Sequence, residues 1–273
     1  MSKRIPRLDK GRYLILSDIQ APLHSERHVA GVTSWLAQQD DVSGILCVGD
    51  EADQTEVSRW TRGTSLESQG TLEAGLLKTH EILRDFASEL PAGAPFIMQR
   101  SSHTDRIANY IAKYAPGFIN TSWNDFPAIM GYGTPSLLAG TDNRVLPITW
   151  SARPYEFAAG WVMAHGDEGG GSRLSGGTAL GLARRWNRSV VCGHTHKMGH
   201  THEHRIMNGE VNQHLFGVEV GNLMDLDKAS YLKGGSANWQ SGFAIADIGE
   251  RTTITNIPIV DNRFHVDGTE WKI

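Results

Sequence analysis

Five short apolar runs punctuate the first part of the chain, and each gives way to polar residues that can bind metal or move protons. Tyr13-Leu14-Ile15-Leu16 runs into Ser17-Asp18-Ile19-Gln20, and Gly44 to Val48 runs into Gly49-Asp50. Pro95 to Met98 leads to Gln99-Arg100-Ser101-Ser102-His103, and Gly160 to Ala164 leads to His165-Gly166. Ser189 to Cys192 ends in Gly193-His194-Thr195-His196. Runs that stay apolar without alternation read as strands buried on both faces. Between them the period changes to that of a helix. Ser25 is an N-cap for a helix to about Gln39, with Val29, Val32, Trp35 and Leu36 as its stripe. A long helix is predicted from Leu66 to Leu90, closed by Pro91-Ala92-Gly93, and further helices from Asp105 to about Tyr114 and from Gly177 to Trp186. Strand, helix and strand in succession predict βαβ units in an α/β fold.

The span 116–154 is rich in Gly, Pro, Asn and Trp without periodicity, and reads as a loop-rich insertion within one domain covering 1–273. Past the fifth run the character changes. His202 to His214 reads as a hairpin turning at Asn208-Gly209. Phe216 to Val220, Phe243 to Ile248 and Thr252 to Val260 read as further strands. Mixed sheets are therefore expected.

Composition narrows this picture only a little. The 273 residues are 40% apolar and 21% charged, as in a soluble globular protein, and the formal net charge is −4. Nucleic acid as a partner is not indicated by that charge, whereas a small anionic phosphoester can be met by a metal's local positive charge. Cys47 and Cys192 lie in apolar runs and read as buried thiols, which fits a reducing cytoplasm. No run approaches the roughly 20 apolar residues of a membrane span, and the basic N-terminus has no signal-like segment behind it. A cytoplasmic protein without a membrane partner is expected; the sequence is silent on oligomeric state.

Active sites of layered α/β folds lie outside the carboxyl ends of the strands, where all five polar stretches fall. Residues i and i+2 of an extended strand face one side, so His194 and His196 are expected in one site. Two divalent cations about 3.5–4 Å apart need a bridging carboxylate, further carboxylate or imidazole ligands and open positions. Asp50 suits the bridge; Asp18, His165, His194 and His196 suit terminal positions. His103 is placed to protonate a leaving oxygen or contact a phosphate. Arg106 and Arg173 are candidate substrate contacts, with a salt bridge the competing reading for Arg106. The glycine-rich turn Gly169 to Gly177 resembles a phosphate cradle but lacks the Gly-Lys-Ser/Thr ending, so a lid or tight turn is the better reading. His200, His202 and His204 read as one exposed strand face rather than as ligands. Trp60, Trp123 and Trp239 either stack on a base or pack, and Asp167 and Glu168 either support the histidines or are solvated.

In this order the blocks resemble those of the calcineurin-like metallophosphoesterases. Their pattern of Asp-x-His, Gly-Asp, Gly-Asn-His, His-Gly and Gly-His-x-His matches Asp18-Ile19-Gln20, Gly49-Asp50, Ser101-Ser102-His103, His165-Gly166 and Gly193-His194-Thr195-His196. Ser17 to Pro22 and Trp239 to Phe243 look like a phage-encoded branch, which makes the host cytoplasm the expected location. The resemblance implies a four-layer β-sandwich of mixed sheets flanked by helices, with a dinuclear metal site at the strand C-terminal ends. It implies one metal held by Asp18, Gln20, Asp50 and His196, the other by Asp50, Ser102, His165 and His194, and an acid or phosphate-contacting role for His103. The activity implied is phosphodiester or phosphomonoester hydrolysis by a metal-bound hydroxide, on a small or cyclic nucleotide diester. Mn²⁺ is the expected metal, with Fe or Zn²⁺ as alternatives.

Two positions depart from the pattern. Gln20 replaces a histidine ligand with a neutral amide, and Ser102 replaces an asparagine with a shorter hydroxyl. His24 is either a substitute ligand or a surface residue. Ser102 reads equally as drift, specialisation or an engineered change. The competing expectations are a member that binds metal or nucleotide with weakened or no catalysis, and a structural zinc protein.

Overall fold

The computed structural model describes residues 5–64, 67, 70–229 and 237–273. Its elements in chain order begin with β1 (Gly11–Leu16), α1 (Glu26–Leu36), β2 (Val42–Cys47), α2 (Leu72–Ser88), β3 (Phe96–Gln99), α3 (Arg106–Tyr114) and α4 (Phe126–Met130). They continue with β4 (Thr149–Ser151), β5 (Tyr155–Ala158), β6 (Trp161–Met163), α5 (Gly177–Trp186), β7 (Ser189–Cys192), β8 (Met198–Met207) and β9 (Glu210–Val220). β10 (Gly242–Ile248), β11 (Thr253–Pro258), β12 (Arg263–Val266) and β13 (Thr269–Lys272) complete the chain.

Two mixed sheets result. One runs β11-β10-β1-β2-β3-β4, with β1 to β4 parallel and β10 and β11 antiparallel. The other runs β5-β6-β7-β9-β8, with β6, β7 and β9 parallel. β12 and β13 form a separate hairpin.

The strands at the centre have no polar face because both faces are covered. In β1, Tyr13 and Ile15 point to a core shared with Phe157, Met163, Val191 and Val218 of the second sheet. Leu14 and Leu16 point the other way, to a core shared with Val32 and Trp35 of α1 and Leu83 and Phe86 of α2. A third core joins Val190 and Cys192 of β7 to Ala179 and Leu182 of α5. The layers are therefore helices, sheet, sheet, helix. Each core aliphatic removed from water contributes about 1.5–3 kcal/mol, so this stacking fixes the strand ends firmly. Cys47 and Cys192 are buried free thiols.

Several sequence expectations shift. The second helix starts at Leu72, capped by the Thr71 side chain, and not at Leu66. Leu66 and its neighbours 65, 68 and 69 lie outside the described residues. The second arm of the hairpin and the strand predicted after it are one long strand, β9, which pairs with β8 across the expected Asn208-Gly209 turn. Within 116–154 the chain forms short helical turns, α4 and β4, and β4 pairs with β3 at the sheet edge. β5, β12 and β13 escaped the pattern because they are short or hold polar residues. Among the described residues no helix is long and apolar enough to cross a membrane.

Candidate metal centre

The loops that leave β1, β2, β3, β6 and β7 converge, and the backbone ties them together before any side chain does. Asp18 N donates to Gly49 O (3.1 Å), Gln20 N to Asp50 O (2.9 Å), and Gly193 N to His165 O (2.8 Å). Arg100 spans two loops, donating from Nη1 to both carboxylate oxygens of Asp167 (3.0 and 2.8 Å) and from Nε to Asp105 (2.9 Å).

The backbone conformation corrects the strand-alternation argument. Strand β7 stops at Cys192, and His194 and His196 lie beyond it at φ of 69° and 56°. Asp18, Gln20 and Asp50 are also left-handed, at 46°, 51° and 54°. Each such non-glycine residue costs of order 1–3 kcal/mol and persists only where its surroundings hold it. Five of them in one centre mark it as a site where local comfort yields to side-chain placement. Close approach adds a second constraint at Gly193, where a Cβ would lie 2.0 Å from Ser17 Oγ and 2.3 Å from Asp18 Oδ2.

The side chains fall into two groups that share a floor. In one, His196 Nε2 lies 2.8 Å from Gln20 Nε2 and 3.3 Å from Asp18 Oδ1. In the other, His165 Nε2 lies 3.1 Å from Asp50 Oδ2, with Ser102 Oγ at 3.5 Å from the same oxygen. Ligand atoms of Asp50, His165 and His194 all lie within 4.8 Å of one another. Asp18, Gln20, Asp50, His165 and His196 are buried, while His194 is exposed and so opens the centre to solvent.

Electrostatics follow from this packing. Burial alone raises the Asp50 carboxyl, but His103 and His165 outweigh it and hold it well below the usual range. Burial likewise raises Asp18, and His196 brings it back below its ordinary value. Burial lowers His165, yet Asp50 beside it pushes the imidazole up to about 10. Burial lowers His194, and His165 adds to that.

His103 joins through three contacts. Its backbone N–H donates to Asp50 Oδ1 (3.0 Å), and its Nε2 is 2.6 Å from Arg106 Nη2 and 3.6 Å from Asp50 Oδ2. Arginine only donates, so Nε2 accepts and the ring proton sits on Nδ1, 3.6 Å from Asp53 Oδ1. Burial lowers the His103 pKa, in keeping with a neutral ring. Arg106 also donates to the Asp53 backbone carbonyl and lies 3.7 Å from the Asp53 carboxylate (Nη1 to Oδ2), the salt bridge expected as the competing reading.

Other expectations separate here. Arg173 is exposed, with no hydrogen bond or ion pair among the described residues. The glycine-rich turn is not an open anion cradle: buried Glu219 accepts from Gly176 N (2.9 Å) and Thr178 N (3.0 Å) and fills the start of α5. Asp167 pairs with Arg100, and Glu168 accepts from Gly166 N (2.8 Å). His24 is buried rather than on the surface, and its Nε2 faces Glu26 at 3.3 Å. Trp239 packs on His196 with ring centroids 4.2 Å apart, while Trp60 and Trp123 are exposed.

Two supporting residues were not found by sequence reasoning. Asp53 backs His103, and its only signal was the acidic run Asp50-Glu51-Ala52-Asp53. Asn222 lies past β9 with no motif around it, yet its Nδ2 donates to His196 O (3.1 Å) and Gln240 O (3.0 Å). It fixes the His196 backbone from behind.

No family model matches the sequence. Among solved structures, Vacuolar Protein Sorting 29 from Cryptosporidium parvum is 13% identical, with a TM-score of 0.40 over 96% of this chain and 95% of that one. Vps29 from Entamoeba histolytica complexed with Zn²⁺ is 13% identical, with a TM-score of 0.41 over 93% and 96%. These are loose likenesses of chain course and assign no function. The sequence relatives are closer. The Gene 54 protein of Mycobacterium phage D29 is 31% identical over 284 residues, and that of Mycobacterium phage L5 is 32% identical over 281 residues, each match covering 100% of both chains. The chain belongs to the family of these mycobacteriophage Gene 54 proteins.

Proposed function

We propose that this protein is a metal-dependent phosphoesterase, acting on a phosphodiester of small-nucleotide size through two divalent cations, Mn²⁺ first among the candidates. The observation that carries the reading is the set of buried polar atoms left without hydrogen bonds at the centre. Gln20 Oε1 and His196 Nδ1 are buried with no hydrogen-bond partner among the described residues, and buried Asp18 Oδ1 and His165 Nε2 form no hydrogen bond there either, facing only the ion-pair contacts to His196 and Asp50. Buried polar atoms are paired in nearly all folded proteins, so a convergent group without partners fits a cation. Asp18, Gln20, Asp50 and His196 would hold one ion, and Asp50, Ser102, His165 and His194 the other. Such ions supply a nucleophile near neutral pH and charge stabilisation at phosphorus.

The chain's own residues do the rest. His103 and Arg106 form one unit beside Asp50. Arg106 is set to steady a phosphate oxygen, and His103 to hold or pass a proton at Nε2 once substrate displaces Arg106 from it. Val48 O accepts from His165 Nδ1 (2.9 Å), which turns Nε2 towards Asp50.

Hydrolysis of bis(p-nitrophenyl) phosphate by protein stripped with EDTA and refilled with Mn²⁺ tests the reading. Metal-dependent turnover is expected, and its absence even after Ser102→Asn would sink it. A second reading, binding without turnover, draws on Gln20, whose amide faces His196 Nε2 rather than open space. His103→Ala tests the proton role. It should slow esters with poor leaving groups about 10²–10⁴-fold, while nitrophenyl esters lose much less; equal losses would make His103 a phosphate contact.

A further inference from the structure

A second set of histidines lies outside this centre, on the hairpin of β8 and β9. Residues alternate across a strand, and β8 follows that rule throughout its length. Thr201, Glu203 and Arg205 face α5: Thr201 Oγ1 donates to Gly176 O (2.9 Å), Arg184 Nε donates to Glu203 (2.7 Å), and Arg205 Nη1 donates to Asn187 Oδ1 (2.9 Å). His200, His202 and His204 take the opposite face. On β9 that face carries Phe216, Val218 and Val220, which belong to or pack against the core between the sheets. The hairpin thus prolongs the inner face of the second sheet, and His202, His204 and His214 are exposed where that face runs on uncovered.

Register then brings a histidine from each strand together. His204 lies directly opposite His214, with ring centroids 4.4 Å apart at 72°, and His202 stands 5.5 Å from His204. Phe216, opposite His202, backs it at 6.1 Å. An exposed strand face of scattered histidines explains the alternation along β8. It does not explain the matching histidine on β9, directly opposite His204, where two imidazoles face each other across the strands.

We propose that His202, His204 and His214 form a solvent-facing site for a borderline transition cation such as Ni²⁺, Cu²⁺ or Zn²⁺. All three donors are imidazoles, which suit those ions, whereas Mn²⁺, Mg²⁺ and Ca²⁺ favour oxygen. Glu203, the nearest carboxylate in sequence, faces α5 and adds no oxygen to this face. The preference of this site therefore differs from that of the carboxylate-floored centre at Asp18 and Asp50, and the proposal does not depend on that centre being catalytic.

Equilibrium dialysis of the full chain against Ni²⁺ at pH 7.5 tests it, with wild type and His204→Ala/His214→Ala side by side. Wild type should bind one more ion than the double variant, and equal stoichiometry would overturn the site. The difference is read whether or not the buried centre takes Ni²⁺ and whether or not the protein hydrolyses anything. His202→Ala should weaken the extra ion at least about tenfold, a change of about 1.4 kcal/mol. An unchanged affinity would remove His202 from the site. Since these residues are exposed, the variants should keep the wild-type circular dichroism; should the double variant lose it, His204→Gln alone gives the same reading.

Discussion

Two histidine pairs with the same spacing, His194-x-His196 and His202-x-His204, end up in opposite situations. The second pair sits on a regular strand, alternates as a pleat requires, and is exposed. The first leaves its strand before the first histidine and reaches its place through left-handed backbone. The pleat gives the hairpin pair its geometry at no conformational cost. In the buried centre every position must be held against backbone preference by what surrounds it: Asp18 accepts from His194 N (2.9 Å), and Asn222 holds the His196 carbonyl. Spacing in sequence was the same evidence in both places, and only packing tells the two apart.

The contrast breaks most clearly at Asp50. Its carboxylate is buried, accepts from His103 N, and pairs with His165. Removing one partner of a buried ion pair costs about 3–5 kcal/mol, so Asp50→Asn should lower the urea-unfolding free energy of metal-free protein by that order and abolish metal-dependent turnover. Exposed His204→Ala should change the unfolding free energy by no more than about 0.5 kcal/mol. Comparable losses from the two changes would show that burial does not separate the centre from the hairpin.

Gly193 sharpens the same point at smaller scale. Its missing side chain is what lets β7 deliver the histidines against Ser17 and Asp18. Overpacking of this kind costs typically about 1–3 kcal/mol, and the contact named is the carboxylate of a proposed ligand. Gly193→Ala should therefore lower Mn²⁺ affinity as well as thermal stability. Gly209, at the hairpin turn, meets nothing within 4 Å. Its φ of 82° still resists alanine, but Gly209→Ala should leave Mn²⁺ binding unchanged.

How much of this was legible in the sequence follows from the same distinction. The apolar runs of β1, β2, β3, β6 and β7 were readable because burial on both faces leaves a continuous signal. The order of polar residues after them pointed to their convergence, which the structure shows. The route of convergence was not readable. Nothing about His194 or His196 as letters signals a positive φ, since histidine and aspartate tolerate that region without requiring it. Asn222 and Glu219 act across the fold, 26 residues from His196 and 43 from Gly176, so no local pattern can reveal them. Glu219 also explains why the glycine-rich turn misled: a helix N-terminus invites an anion, and here the protein supplies its own.

Burial also sets what acid does to histidines that belong to neither pair. His24 and His80 are 1% and 4% exposed, and burial pushes both imidazoles below their ordinary value, with Arg144 and Arg84 adding to the effect at His80. A base whose folded pKa is depressed is held neutral in the fold and takes up its proton more readily when unfolded. Its share of stability is complete above the unfolded value of about 6.5 and is lost as pH falls below that towards the folded value. The urea-unfolding free energy of metal-free protein should therefore fall between pH 7.5 and pH 5, by less than about 1.4 kcal/mol per histidine per pH unit. His80→Gln removes one titrating group and should flatten that slope whatever it does to the midpoint at pH 7.5. A slope unchanged in His80→Gln would mean that the acid sensitivity arises elsewhere, and that burial of this imidazole does not govern its charge.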